Sequence, residues 1–260
     1  MNWRATSIRT VVILLAGAAL SGCGQSAQKP ITDQTFAQQT LREAIEEVNA
    51  GETDRIEIDD VVIDDAHLVA LSGVKGLKEL ILWDTMITDK GVAMLKDLPD
   101  LEWISLSESQ LSDASLEHLS GFEKLKQLNV GGAEVTDAGL EVLLKLKNLE
   151  RLNLHDTKLT DAGMKTLGKM TGLVHLRFGS KDVTDEGIAH LSDLTSLRFV
   201  HFIHVRLTDD GLRHLRGFKQ LESLYLDDTQ VTDDGLEMLA KALPDLHIHN
   251  NDGHVAGVHP

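Results

Sequence analysis

The sequence predicts an α/β solenoid, a stack of short parallel strands each followed by a turn and a short helix. Three observations predict it. The phrase Leu-x-x-Leu-x-Leu, with other apolar residues standing in at places, opens at Leu77, Leu101, Leu125, Leu149, Leu173, Leu197 and Leu221, a period of 24. A repeat in this size range marks a solenoid whose units touch only their neighbours. Within each unit apolar residues first alternate and then fall at helical spacing, and a Thr-Asp-x-Gly marks the change.

The chain is read in order from its start. Arg4 and Arg9 form a basic beginning, and Val11 to Leu20 is an apolar run. That run is too short to cross a bilayer of roughly 30 Å as a helix. It reads as the apolar segment of a secretory signal. Leu20-Ser21-Gly22-Cys23 follows directly and resembles the lipobox of bacterial lipoproteins. The resemblance implies a signal peptide over 1–22 and a diacylglycerol on the Cys23 thiol, which becomes the mature N-terminus. Cys23 is also the single cysteine, so no internal disulfide is available to it. Acyl chains at about 0.8 kcal/mol per buried methylene would hold such a protein on a membrane. Gly24, in place of an Asp, favours export to the outer membrane.

Residues 23–32 read as the lipidated cysteine and a polar tether. Residues 33–52 read as a capping helix. Thr32 and Asp33 offer N-caps, Gly51 offers a stop, and Phe36, Leu41, Ala44, Ile45 and Val48 share a face. A terminal repeat leaves core exposed, which such a helix covers.

Eight repeats are expected over 53–245. We number each unit from its opening residue. Positions 4 and 6 are apolar, as in Leu152 and Leu154, at the period of a strand. Position 11 is Ile, Leu or Val. Positions 12 and 13 are Thr-Asp, or Ser112-Asp113, and position 15 is Gly or Ser115. Positions 16, 19 and 22 are apolar at helical spacing. The Asp at position 13 is expected to cap the helix, with its charge suited to the helix dipole. Calcium held between stacked carboxylates is the alternative, with Asp209-Asp210, Asp227-Asp228 and Asp233-Asp234 as the place for a cation. The unit from Thr53 is degenerate. It keeps Ile56, Ile58, Ile63, Leu71 and Val74 but has His67 at the Gly position. Residues 246–260 are expected to form a closing strand, opened by Leu246, and a His-rich tail.

These residues resemble the leucine-rich repeat family over 53 to 249. The helix start is similar to that of the cysteine-containing subclass, with Thr85, Thr157 and Thr229 at position 9 in place of Cys or Asn and Ser109 close to them. Ala133, Lys181 and Val205 depart. An unpaired Lys181 is too costly to bury, so a distorted turn is expected there. The resemblance implies a curved horseshoe, with the parallel sheet on its concave face and the helices on its convex face. It speaks for fold and says little about function.

Lys and Arg total 25 against 41 Asp and Glu, a net charge of −16. Residues 1–22 hold Arg4 and Arg9 and no acid, so the remainder carries −18. Such a chain is not expected to bind nucleic acid through its phosphates. Nothing resembles a nucleophile elbow, a phosphate loop or a His-Glu-x-x-His helix, so no catalytic residues and no cofactor are expected.

Positions 3, 5 and 7 face away from the core. They hold Trp83, Trp103, Phe199 and Tyr225, while Phe122, Phe178, Phe202 and Phe218 fall in core columns. They also hold Arg151, His155, His175, Arg177 and His201. Aromatic and arginine side chains on a solvated face are typical interface anchors. Together they read as a cationic and aromatic patch for an acidic protein segment, a carboxylate or a glycan. Ile81 and Trp83 read as a second, apolar patch. His118, His190 and His214 at position 18 read as surface residues. His247 and His249 share a strand face near His254 and His259, and a His-x-His pair is a zinc or copper ligand set. The expected function is that of a lipid-anchored leucine-rich repeat lipoprotein of the bacterial envelope that binds a protein or peptide on its concave sheet. The alternatives are an envelope zinc- or copper-binding protein using the His-rich end, and a purely structural surface protein.

Overall fold

Alternation at positions 4 and 6 gives each unit one inward and one outward face, and parallel stacking of identical units is the arrangement that buries every inward face at once. The computed structural model describes residues 33–83, 85–107, 109–251 and the backbone of 253–254. Nine strands lie parallel in sequence order in one sheet. They are β1 (Arg55–Ile58), β2 (Glu79–Leu82), β3 (Trp103–Leu106), β4 (Gln127–Asn129) and β5 (Arg151–Leu154) in the first half. β6 (His175–Gly179), β7 (Phe199–Ile203), β8 (Ser223–Asp227) and β9 (His247–Asn250) complete the run. A two-residue β10 (Gly253–His254) pairs antiparallel with β9. Every parallel pair among these nine strands is in the register that the 24-residue period dictates, as in Arg151↔His175↔Phe199↔Ser223.

The opposite layer holds eight short helices: α2 (Asp65–Leu68), α3 (Asp89–Met94), α4 (Asp113–Leu119), α5 (Asp137–Leu143), α6 (Asp161–Leu167), α7 (Asp185–Ala189), α8 (Asp209–Leu212) and α9 (Asp233–Ala242). Between the layers runs one continuous apolar core from Ala37 to Ile248. Phe122, Phe178, Phe202 and Phe218 sit in it, at most 4% exposed.

The residues of the Thr-Asp-x-Gly signature divide the work differently from the sequence expectation. The N-cap of α3 is Thr88, not Asp89, and the same holds for the Thr or Ser that opens every later helix through α9. The Asp instead reaches forward to the next unit. Asp161 accepts from the Thr184 backbone N–H and hydroxyl, both at 2.7 Å. The same two bonds join Asp65 to Thr88, Asp89 to Ser112, Asp113 to Thr136 and Asp137 to Thr160. They continue from Asp185 to Thr208 and from Asp209 to Thr232. The physical reason is that a hydroxyl one residue upstream already accepts from an N–H of the first helical turn, which frees the carboxylate to satisfy the neighbouring turn. The glycine makes room for it. A Cβ on Gly163 would stand 2.1 Å from the Asp137 carboxylate, and one on Gly187 2.3 Å from Asp161.

The N-terminal end is covered by α1 (Gln34–Asn49). Asp33 caps it, accepting from the Thr35 and Phe36 N–H groups, and its buried face is Ala37, Thr40, Leu41, Ile45 and Val48. Gly51 follows in the left-handed region at φ +73°. His67 belongs to this junction. With no preceding Asp to accommodate, the Gly position is free to hold a ring. That ring forms a capping box with Asp64 and lies 3.3 Å from the Gln34 carbonyl through Nε2.

Lys181 is exposed. The strand before it is prolonged to Gly179, and Ser180 turns inward in its stead, 5% exposed, with its hydroxyl donating to the Leu159 carbonyl at 2.6 Å. The polar residue one place earlier therefore takes the interior role of Thr157, whose hydroxyl donates to the Leu154 carbonyl.

Candidate functional site

The register places the candidate residues in two columns on the outward sheet face. Position 3 reads Trp103, Gln127, Arg151, His175, Phe199, Ser223 and His247 from β3 to β9. Position 5 reads Ser105, Asn129, Asn153, Arg177, His201, Tyr225 and His249 over the same strands.

The two halves of this face differ. In the first half position 5 is closed. Ile81, Ser105, Asn129 and Asn153 are 0%, 1%, 4% and 2% exposed. Asn129 donates to the Ser105 hydroxyl at 2.9 Å and accepts from the Gly131 N–H, and Asn153 accepts from the His155 N–H. Ile81 is therefore not part of an apolar surface patch. At the same end the Arg55 guanidinium stands 4.9 Å from the centre of the Trp103 ring. Arg55 itself is held by Glu57 and Glu79. Trp83 and Trp103 are half-buried at this end, and they stand three and two strand spacings from Arg151, about 14 and 10 Å.

In the second half the outward side chains are rings. His175 stacks on Phe199 with centroids 5.6 Å apart and planes at 19°. Phe199 and His201 lie 5.2 and 5.5 Å from Tyr225. Tyr225 stacks on His249 at 4.3 Å and 4°. These contacts run from β6 to β9 without a break, because rings in one column are set at about the 4.8 Å strand spacing. All of these rings are half-buried.

Two histidines in the ladder are poor bases. Burial, with Arg151 and Arg198 beside it, pushes His175 down to about 4. Burial also lowers His201, against the pull of the Asp227 carboxylate 2.6 Å from its Nε2. Near neutral pH His175 is therefore uncharged, and on this half of the outward columns Arg151 and Arg177 supply the fixed positive charge. The patch is less cationic than its histidine count suggested and more aromatic.

Position 7 alternates large and small side chains. Gly131 gives way to the His155 ring, which lies where a Cβ would be, 1.8 Å from it to the nearest ring atom. Gly179 does the same beside Ile203, whose carbonyl oxygen would be 2.9 Å from an added Cβ. His155 thus folds over β4 and away from the ring ladder. Of the side chains named from sequence, Arg151, His175, Arg177, Phe199, His201 and Tyr225 come together; His155 flanks them, and Trp83 and Trp103 stand apart.

Two profiles of the leucine-rich repeat family match the sequence, one over residues 75–135 and one over residues 145–168 and 220–240. The chain carries leucine-rich repeats. No curated protein matches it. Among solved structures, internalin C2 of Listeria monocytogenes is similar over 88% of this chain and 100% of its own, at 20% identity and a TM-score of 0.63. An internalin F of the same species is similar over 85% of this chain and 71% of its own, at 20% identity and a TM-score of 0.58. These likenesses establish the solenoid fold.

On this leucine-rich repeat sheet, His249 is the residue that sequence reasoning put to another use. Its ring is committed to Tyr225, so it extends the aromatic ladder by one strand. His247 is exposed on the same strand, with Nδ1 3.3 Å from the Glu222 carbonyl. Among the described residues no group of three or more His, Cys, Asp or Glu is arranged to hold a metal ion. Arg198 was also missed. It sits at position 2, outside the columns, yet it adds to the positive field at His175 while paired with Glu222. His118, His190 and His214 are exposed on the helix side. Cys23, the rest of the leader and tether, and the end of the tail with His259 lie outside the described residues, as does the side chain of His254.

Proposed function

We propose that this leucine-rich repeat protein is a lipoprotein of the bacterial envelope, anchored through Cys23, that binds a protein or peptide partner on its concave sheet. The observation that carries the binding half of this reading is the unbroken run of rings from His175 to His249, with Arg151 and Arg177 beside it. Folding needs only the inward columns, and the outward rings are half-exposed side chains of the kinds enriched at protein interfaces. The anchoring half rests on Leu20-Ser21-Gly22-Cys23 behind an apolar run. No helix among the described residues is long and apolar enough to cross a membrane.

The binding half is tested by pull-down from envelope extract with the full chain and with a His175→Ala, Arg177→Glu, His201→Ala variant of matched folding. Loss of a partner by the variant is expected; equal recovery removes the concave site. The anchor is tested by Cys23→Ser. The variant is expected in the soluble fraction, and continued sedimentation with membranes would show that the lipobox does not hold the protein.

A further inference from the structure

We infer that the ring ladder between Arg151 and His249 receives an extended, carboxylate-bearing peptide segment of a partner protein. This rests on the concave-sheet reading above and narrows it to one ligand chemistry.

Tyr225 has His249 from β9 on one side and Phe199 and His201 from β7 on the other, all within 5.5 Å. His175 and Phe199 turn their faces toward each other in the same way. The His175–Phe199 and Tyr225–His249 pairs thus spend ring faces on neighbouring strands, while Phe199 and His201 meet Tyr225 at a tilt, and ring edges are the larger part of what the ladder offers to a ligand. Sugars pack their C–H faces on exposed ring faces, bases stack on them, and cations sit over them. Edges carry the positive end of the aromatic quadrupole and suit oxygen acceptors.

Charge points the same way. From β3 to β9 the outward positions 3, 5 and 7 hold Arg151 and Arg177 against a single acid, Asp227, which is bonded to His201. The whole chain carries −16, so this stretch is a local positive site on an acidic molecule. Burial is the main cause of the depressed basicity of His175, and Arg151 and Arg198 add to it against Glu222. A long polyanion such as nucleic acid would meet the negative remainder of the molecule. A short acidic segment would not. From Arg151 on β5 to His249 on β9 the site spans five strands, about 19 Å at four strand spacings, which an extended chain covers in about six residues.

The probes are a Glu-Gly octapeptide, the matching Gln-Gly octapeptide and chitohexaose, each titrated into the full chain and followed by NMR, which reads weak binding. The His175 imidazole is assigned by its loss in His175→Gln. The Glu-Gly peptide is expected to shift the ladder resonances and to raise the His175 pKa from about 4, because a carboxylate brought to the imidazole favours its proton. The Gln-Gly peptide is expected to bind at least about tenfold more weakly, and Arg151→Gln with Arg177→Gln to lose about tenfold for the acidic peptide alone, one lost charge-assisted bond being worth roughly that factor. Equal binding of the two peptides, tighter binding of chitohexaose, or no shift with the acidic peptide overturns the inference. Equal peptide binding would leave the concave site intact. The site itself falls only if the pull-down variant recovers the same partners.

Discussion

At the scale of single residues, the Thr-Asp-x-Gly signature is a device that joins one unit to the next. Thr caps its own helix, Asp bonds the following Thr through its N–H and hydroxyl, and Gly leaves space for the carboxylate arriving from the unit before. Asp161→Ala removes both bonds and leaves a turn N–H without its acceptor. It is expected to cost about 2–3 kcal/mol in urea unfolding, the range for a hydrogen bond to a charged group. Asp233 opens α9 and makes no such forward bond among the described residues, so Asp233→Ala is expected to cost under about 1 kcal/mol, the value of an N1 charge at the helix dipole. Equal losses at the two sites would show that the carboxylate acts mainly within its own helix. The recurrence of Asp at this position was legible in the sequence, but its partner was not. Both a cap and a forward bond put an acid at a helix start, and only the stacking of units decides between them. Lys181 was legible in part. Its charge forbade burial, but that Ser180 would turn in to replace it depended on the strand running on to Gly179.

At the scale of elements, the ends of the stack depart most from the repeat, and each departure has a local cause. His67 stands at a Gly position that has no carboxylate to admit, and it ties α2 to α1 through Asp64 and the Gln34 carbonyl. His67→Ala is expected to lower stability by about 1–2 kcal/mol, the worth of a capping interaction and a buried hydrogen bond. Amide exchange should quicken in α1 first and leave α6 unchanged; uniform quickening would contradict a role confined to the cap. The strands and helices of the strict units were legible because period 2 and helical spacing sit side by side in 24 residues. The two-residue β10 was not, since a strand so short has no pattern of its own.

At the scale of the whole molecule, one sheet carries two unlike surfaces. Its first half closes over Ser105, Asn129 and Asn153, and its second half shows the ring ladder. The columns were legible once the units were laid in register. Which columns were open was not, because exposure depends on neighbours such as Gly131 and Gly179 yielding space across strands. The ladder also has a consequence for acid stability. His175 and His201 hold protons less readily when folded than when unfolded. As pH falls through the unfolded imidazole range near 6.5, the unfolded chain takes up protons that the folded one refuses, so stability declines toward the folded value near 4. Urea midpoints at about pH 7 and about pH 5 are expected to differ in that direction, and His175→Gln to narrow the difference. An unchanged difference would mean that other groups govern it.

The forward bond from each Asp to the next Thr makes the junctions between strict units alike, with Ser112 and Ser115 standing in for Thr and Gly at one of them. A duplication of 24 residues, cut at any point and rejoined at the equivalent point of the next unit, would leave no carboxylate without a receiver and no glycine without a carboxylate to admit. It would lengthen the sheet by one strand, about 4.8 Å. The array can therefore change length by whole units, and with it the breadth of its sheet, without a new kind of junction.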